Sequence, residues 1–575
     1  MAQEQVPSPR EVGERAADVL APESSQFEDP DAAGFGEALS QVLRFGVAHP
    51  SASAQVAVRL AADLARVPVV TMDSWLGGNV APPVPVDPRD RRFADPAWTG
   101  NPFFAGVRLS YLAACRAARD LVGAAELDEG TTRKAAMATE LMLDALAPTN
   151  FLPTNPAALR RAFETAGMSL LRGARNFTDD LLNNEGRPRQ VDMRPFEVGR
   201  NLAATPAKVV YRNDLMELLQ YEAQTPRVHA SPLLCSPPWI NKYYVMDLAP
   251  GRSFIEWAVQ HGRTVFAISY RNASKERSGV TMDDYLVHGP HTALDVIQDV
   301  TGAETIDIAG LCLGGALTAI TSAYLTQSGD SRIGTVTLFN TMLDYAEPGA
   351  LGLFTDRATV DKLERKMQRE GVLEGASMAG TFDVLRANDL IFNYVVSNWL
   401  MGEDPPVFDI LAWNADGTRM PAAMHSFYLR NFYVENKLAA GTLEIAGKAI
   451  DLGAIKAPAY VVSAVNDHIV PWESSYKTTG LVSGPVRFVL SSGGHIAGIV
   501  NPPGPKAWYQ VAPTDDALPA TAAEWRSAAE RISGSWWEDW ASWSKEHAGP
   551  MQDPPGTGSV RHPVLGDGPG TYVRT

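Results

Sequence analysis

Apolar and polar positions follow two rhythms along this chain. From Gly36 to about Asp180 the rhythm is helical. "FGEALSQVLRFGV" and "TRKAAMATELMLDALA" place apolar residues at i, i+3, i+4 and i+7. "FADPAWTGNPFFAGVRLSYLAACRAARDLVG" opens on Pro and aromatics and continues as an amphipathic helix, with Cys115 on its apolar face. After "GRPRQ" the rhythm changes. "AKVVYRNDLMELLQYEA" predicts two strands around Asn213-Asp214, a hairpin signal. Short apolar runs then alternate with helical stretches. "PLLCSPPWI", "TVFAISY", "TIDIAGLC", "IGTVTLFNTM", "APAYVVSAVND" and "VRFVLSSGGH" read as strands. "SFIEWAVQHG", "DYLVHGPHTALDVIQDVTG" and "GGALTAITSAYLTQ" read as helices. Strands this apolar need cover on both faces, so the pattern predicts a mostly parallel sheet in an α/β fold.

The same pattern divides the chain. Residues 1–35 are polar, acidic and Pro-containing, as expected of a disordered tail. Residues 36–205 form a helical N-terminal domain, and 206–575 a catalytic α/β domain. Between about 344 and 456 the alternation gives way to a helical, aromatic-rich insertion. An insertion over the carboxyl ends of the central strands is where a lid sits. "SGSWWEDWASWSKEH" predicts a Trp-rich helix near the end of the sequence.

Composition narrows the function. A chain of 575 residues exceeds what one core usually serves. A net charge of −16 argues against a nucleic-acid surface, which needs clustered Lys and Arg. Cys115, Cys235 and Cys312 are odd in number and far apart, which suits neither a disulfide framework nor a zinc site. The first twenty residues lack the apolar core of a signal peptide, and no run of 18 apolar residues occurs. A reducing, cytoplasmic setting is expected.

One cysteine stands apart. "TIDIAGLCLGGALTAI" puts Cys312 between Gly310 and Gly314, after a predicted strand and before a predicted helix. This is the G-x-S-x-G turn of an α/β-hydrolase fold with Cys in the Ser place. Three cysteines and 47 glycines would produce roughly 0.02 G-x-C-x-G matches by chance. Gly310 and Gly314 are expected to permit the strained turn, and Gly315 to let the helix approach the sheet. The fold sets the chain order nucleophile, acid, His. Asp467 ends "YVVSAVND", and His495 follows "RFVLSSGG". His468 competes with His495, but it adjoins Asp467 in a strand-end loop where neighbours diverge. The expected oxyanion donors are the Leu313 N–H and an N–H in "SPPWIN". Pro237 and Pro238 carry none, which leaves Trp239 or Ile240; Ile240 is preferred. A thiol that attacks a thioester keeps the acyl group activated for transfer, which favours acyl transfer over ester hydrolysis.

Taken together, these segments resemble the polyhydroxyalkanoate synthases. The shared features are the G-x-C-x-G-G box, "NDHIVPW", "GGHIAGIVNPP", "PPWINKYYVMDLAPGRSFIEWAVQHG", "DPAWTGNPFF", "SGSWWEDWASW" and "PGTYV". The likeness runs from about Phe93 to the end of the sequence. Its length and N-terminal helical region resemble the one-subunit classes, class I before class II. The resemblance implies polymerisation of (R)-3-hydroxyacyl-CoA into polyester with release of CoA. It implies an acyl group carried on Cys312, His495 as the base, and Asp467 as either its orienter or the activator of the incoming hydroxyl. It further implies a homodimer at the surface of cytoplasmic polyester granules and no metal or redox cofactor. Trp239 stands where relatives carry a smaller residue, and Trp413 falls in a family segment. A Cys-dependent thioesterase of the same fold is the alternative.

Overall fold

The computed structural model describes residues 33–513 and 518–575. The tail expected to be disordered lies, up to residue 32, outside the described residues. The described residues fall into two compact units: 33–192 with 380–406, and 193–379 with 407–513 and 518–575. Part of the expected lid, 380–406, therefore belongs to the first unit.

The first unit is helical. Its main helices are Phe35–Ala48, Pro50–Trp75, Pro102–Ala124, Glu129–Ala145, Pro156–Glu164 and Met168–Asn183. Capping residues start several of them. The Asn101, Asp128 and Asn155 side chains each accept a backbone N–H of the first turn. Asn101 and Asn155 are followed by a proline, whose missing N–H costs nothing at that position.

The second unit is built on eleven strands: β1 Ala207–Arg212, β2 Met216–Tyr221, β3 Leu233–Ser236, β4 Val265–Tyr270, β5 Ile306–Leu311, β6 Ile333–Phe339, β7 Ala459–Ala464, β8 Val486–Ser491, β9 Trp508–Val511, β10 Glu530–Ser533 and β11 Gly566–Asp567. Their order is β10-β9-β8-β7-β6-β5-β3-β4-β2-β1-β11. The six central strands, β8 through β4, are parallel, and the flanking pairs are antiparallel. β2, β3, β5 and β7 are buried at every residue, which is why apolar residues dominate them, although β2 also buries Glu217 and Gln220 and β5 buries Asp307. The hairpin expected at Asn213-Asp214 joins β1 to β2.

Register decides where loops meet. Ser236 pairs with Gly310, Leu311 with Phe339, Phe339 with Val462, and Ala464 with Ser491. The loops after β3, β5, β6, β7 and β8 thus leave one edge of the sheet side by side. The insertion leaves that edge after β6 and returns at β7. One expected helix is broken: "DYLVHGPHTALDVIQDVTG" forms Met282–Leu286 and Thr292–Thr301, with non-helical φ and ψ at Gly289 between them. Pro290 explains the break, since it lacks a donor and its ring clashes with the preceding turn.

Candidate active site

Cys312 sits between the last residue of β5 and the helix Leu313–Gln327. Its φ is +53° and its ψ −113°. For a residue with a Cβ this backbone costs on the order of 1–3 kcal/mol. The glycines make room for this turn without taking up its strain. None of the three adopts positive φ; Cys312 itself does. Each glycine answers to a close neighbour instead. A Cβ on Gly310 would lie 2.4 Å from the Gly314 carbonyl oxygen. One on Gly314 would lie 2.2 Å from the Ser236 carbonyl oxygen, and one on Gly315 would lie 1.8 Å from Thr341 Oγ1. The turn is held by the Cys312 N–H, which donates to the Phe339 carbonyl at 2.8 Å. Cys115 and Cys235 are buried, and burial pushes both thiols up, as suits unreactive core residues. Cys312 alone among the cysteines is partly exposed.

His495 reaches the site from the loop after β8. Its Nδ1 lies 2.7 Å from Asp467 Oδ2. It is His495, not His468, that meets this carboxylate. Asp467 is completely buried, and its other oxygen accepts the N–H groups of Ile469 and Val470 at 2.8 and 2.9 Å. The Asp467 contact leaves Nε2 as the ring nitrogen available for the hydrogen bond between His495 and Cys312. Burial works against the imidazolium, but Asp467 and the charge on Cys312 outweigh it and raise His495 to about 10. The arrangement therefore favours a protonated imidazole facing the Cys312 sulfur.

The loop Pro237–Ile240 crosses the start of the cysteine's helix, as the close approach of Gly314 to Ser236 and Pro237 requires. Neither the Leu313 nor the Ile240 N–H donates to a protein acceptor among the described residues. Thr418 Oγ1 lies 2.5 Å from the Ile240 carbonyl and 3.3 Å from that of Trp239. Ser236 ends β3 and Cys312 follows its neighbour β5, so the two N–H groups rise from neighbouring strand ends.

A family model described as the N-terminus of poly-beta-hydroxybutyrate polymerase (PhaC) matches residues 89–258, and one for the alpha/beta hydrolase fold matches residues 241–502. The chain is 41% identical over 542 residues to a poly(3-hydroxyalkanoate) polymerase of Methylorubrum extorquens, covering 93% of this chain and 89% of that protein. The chain belongs to the poly(3-hydroxyalkanoate) polymerase family. Its identity to the PhaC polymerase subunit of Cupriavidus necator is 40% over 495 residues, with 84% and 83% covered. To polymerase 2 of Ectopseudomonas oleovorans it is 39% over 540 residues, with 93% and 94% covered.

Several residues that sequence reasoning missed support the site in this member of the polymerase family. Asn340, at the end of β6, donates its side-chain amide to the His495 carbonyl. Thr341 Oγ1 lies 3.0 Å from the Phe339 carbonyl and 3.4 Å from that of Cys312. A polar Asn-Thr pair closing an apolar strand was the available signal. The Trp-rich helix Trp536–His547 has a specific task. The Trp536 and Trp537 indole N–H groups donate to the Gly498 and Ile499 carbonyls at 2.8 Å each, bracing the His495 loop. From the insertion come Tyr345, Tyr428 and Tyr433. Burial raises all three hydroxyls, and charge on Cys312 raises them further, which puts them beside the thiol. Trp239 packs edge-on against Tyr428 at 5.8 Å. Trp413 is buried, and its indole donates to the Lys242 carbonyl at 2.8 Å.

Proposed function

We propose that this protein polymerises (R)-3-hydroxyacyl-CoA thioesters into polyester, releasing CoA, with the growing chain carried on Cys312. The observation that carries the reading is a strained cysteine beside a buried His495–Asp467 pair, in a chain belonging to the polymerase family. Cys312 gives its thiol proton to His495 as its sulfur attacks the thioester carbonyl. The Leu313 and Ile240 N–H groups receive the oxyanion, and His495 returns the proton to the departing CoA sulfur. The hydroxyl of the next unit then gives its proton to His495 and attacks the Cys312-bound carbonyl. A new ester bond forms as the C–S bond breaks, and the freed Cys312 sulfur then attacks the thioester of the lengthened chain, taking the chain back as CoA leaves.

Asp467 acts as the orienter of His495. One oxygen is occupied by His495 Nδ1 and the other by two backbone N–H groups, and the side chain is shut off from solvent. This supports orientation over direct activation of an incoming hydroxyl. The insertion acts as a cover, and Tyr345, Tyr428 and Tyr433 wall the acyl site.

The enzyme works as a homodimer at the surface of cytoplasmic polyester granules. An apolar stripe near the end of the helix Pro50–Trp75 suits an apolar polymer surface: Val69, Met72 and the adjoining Leu76 are exposed at spacings of three and four. No described helix is long and apolar enough to cross a membrane.

The test is incubation with (R)-3-hydroxybutyryl-CoA while CoA and insoluble polyester are measured. Stoichiometric polymer that disappears in Cys312→Ala is expected. CoA release with free hydroxy acid and no polymer would instead mark a thioesterase.

A further inference from the structure

We propose that Lys242 is a positioning residue for acyl transfer, fixing the oxyanion loop by tying it to the segment Gly570–Thr575. The inference rests on the reading of the Ile240 N–H as an oxyanion donor. The tie begins at a buried carboxylate. Glu217, on β2, is fully buried. Its oxygens accept the Thr571 N–H at 2.8 Å, the Thr571 hydroxyl at 2.8 Å and the Tyr572 N–H at 2.9 Å, besides pairing with Arg212. Gly570 makes this approach possible. Its φ is +82°, and a Cβ there would lie 2.3 Å from Glu217 Oε2. Tyr572 adds a 2.7 Å hydrogen bond from its hydroxyl to the Asn213 carbonyl. The segment is thus anchored to the sheet in a single position.

Its next carbonyl, that of Val573, accepts the Lys242 ammonium at 2.6 Å. Lys242 stands two residues beyond Ile240 and is almost completely buried. The same ammonium pairs with Asp416 at 3.0 Å, and Asp416 also accepts the Tyr244 hydroxyl at 2.8 Å. Lys242 therefore fastens the loop to two fixed points. The loop needs them. A cavity of about 10 Å³, the size of one water, lies behind it, bordered by Trp239, Tyr270, Tyr285 and Tyr572. Trp239 Nε1 is buried without a hydrogen-bond partner among the described residues. Interiors resist displacement because they are close-packed, and this side of the loop is not. An oxyanion donor that drifts by about 1 Å costs on the order of 10²-fold in rate. A buried lysine with two fixed acceptors supplies the restraint that packing omits.

The test compares Lys242→Met, Lys242→Arg and a chain lacking Val573–Thr575 with the wild type. The readouts are kcat and KM for CoA release from (R)-3-hydroxybutyryl-CoA, the rate of Cys312 alkylation by iodoacetamide, and Tm. Alkylation needs the thiol and His495 but no oxyanion donor. We expect Lys242→Met to lose roughly ten- to hundred-fold in kcat, with KM within two-fold and alkylation unchanged. Lys242→Arg recovers part of the loss. The truncation behaves like Lys242→Met, and the two combined are no worse than either alone. Unchanged kcat, losses that multiply, or alkylation and Tm falling in step with kcat would overturn the proposal. A wild type that captures no acyl group on Cys312 would instead overturn the underlying reading.

Discussion

Gly314→Ala probes the oxyanion loop with a single methyl group. The added Cβ would stand 2.2 Å from the Ser236 carbonyl oxygen and 2.4 Å from that of Pro237. To regain ordinary contact at roughly 3.4 Å, the backbone on one side must retreat by about 1.2 Å. Both obstacles are main chain, so no rotamer change relieves them. Two effects on stability oppose each other. Replacing Gly by Ala in a helix gains about 0.5–1 kcal/mol, and overpacking costs about 1–3 kcal/mol. The net is a loss of about 1 kcal/mol, a drop in Tm of no more than a few degrees for a chain this long. The effect on rate is larger. Moving the loop by about 1.2 Å takes the Ile240 N–H from the oxyanion, and a misplacement of this size costs on the order of 10²-fold. The assay is steady-state CoA release from (R)-3-hydroxybutyryl-CoA, with a melting curve on the same sample. A folded variant with kcat within two-fold of wild type would refute the reasoning, because the loop would then have moved without consequence.

Other outcomes follow from the same geometry. Gly315→Ala also inactivates, but its obstacle is the Thr341 side chain, so adding Thr341→Ala restores part of the activity; no such rescue exists for Gly314→Ala. Asp467→Asn removes the partner that helps hold His495 near 10. In the wild type the imidazolium is lost as pH rises through about 10; in the variant that alkaline limb of the pH–rate profile moves down, and kcat at neutral pH falls by roughly 10⁴-fold. An unshifted limb would contradict the pairing. Buried His425 is lowered to about 4 by burial, so the unfolded state takes up its proton first as pH falls. Its contribution is intact above about 6.5 and is lost between there and about 4, roughly 3 kcal/mol. Urea titrations of wild type and His425→Phe across that range would show a steeper acid loss in the wild type. Trp537→Phe removes the bond to the Ile499 carbonyl and costs about 1 kcal/mol, read as a lower Tm with a smaller fractional loss of kcat than Gly314→Ala.

The parts of this account that were legible in the sequence are those fixed by local chemistry. Fully buried strands announced themselves as apolar runs, and the glycines around Cys312 marked a turn with no room for side chains. The chain order nucleophile, acid, His then pointed to Asp467 and His495, which the parallel register brings together. Which residue takes the positive φ was not legible, because a glycine looks the same whether it supplies positive φ or makes way for a neighbour. Only the packing of Gly314 on Ser236 and Pro237 separates the two. The flanking strands β9, β10 and β11 went unread because they are short or exposed, with little apolar signal. The membership of 380–406 in the helical unit was illegible for a similar reason: an aromatic helical run looks alike whichever core it joins. Lys242, Glu217 and Thr571 were invisible as a set, since their relation spans more than 350 positions and exists only through the fold.

The central claim is that Cys312 carries the growing acyl chain. Its most direct test is to mix the protein with (R)-3-hydroxybutyryl-CoA, quench in acid within the first turnovers, and map the adducts by mass spectrometry. The account predicts one or more hydroxybutyryl units on the peptide containing Cys312, released by hydroxylamine and absent in Cys312→Ala. Adducts confined to another residue, or polyester formed by Cys312→Ala, would contradict it.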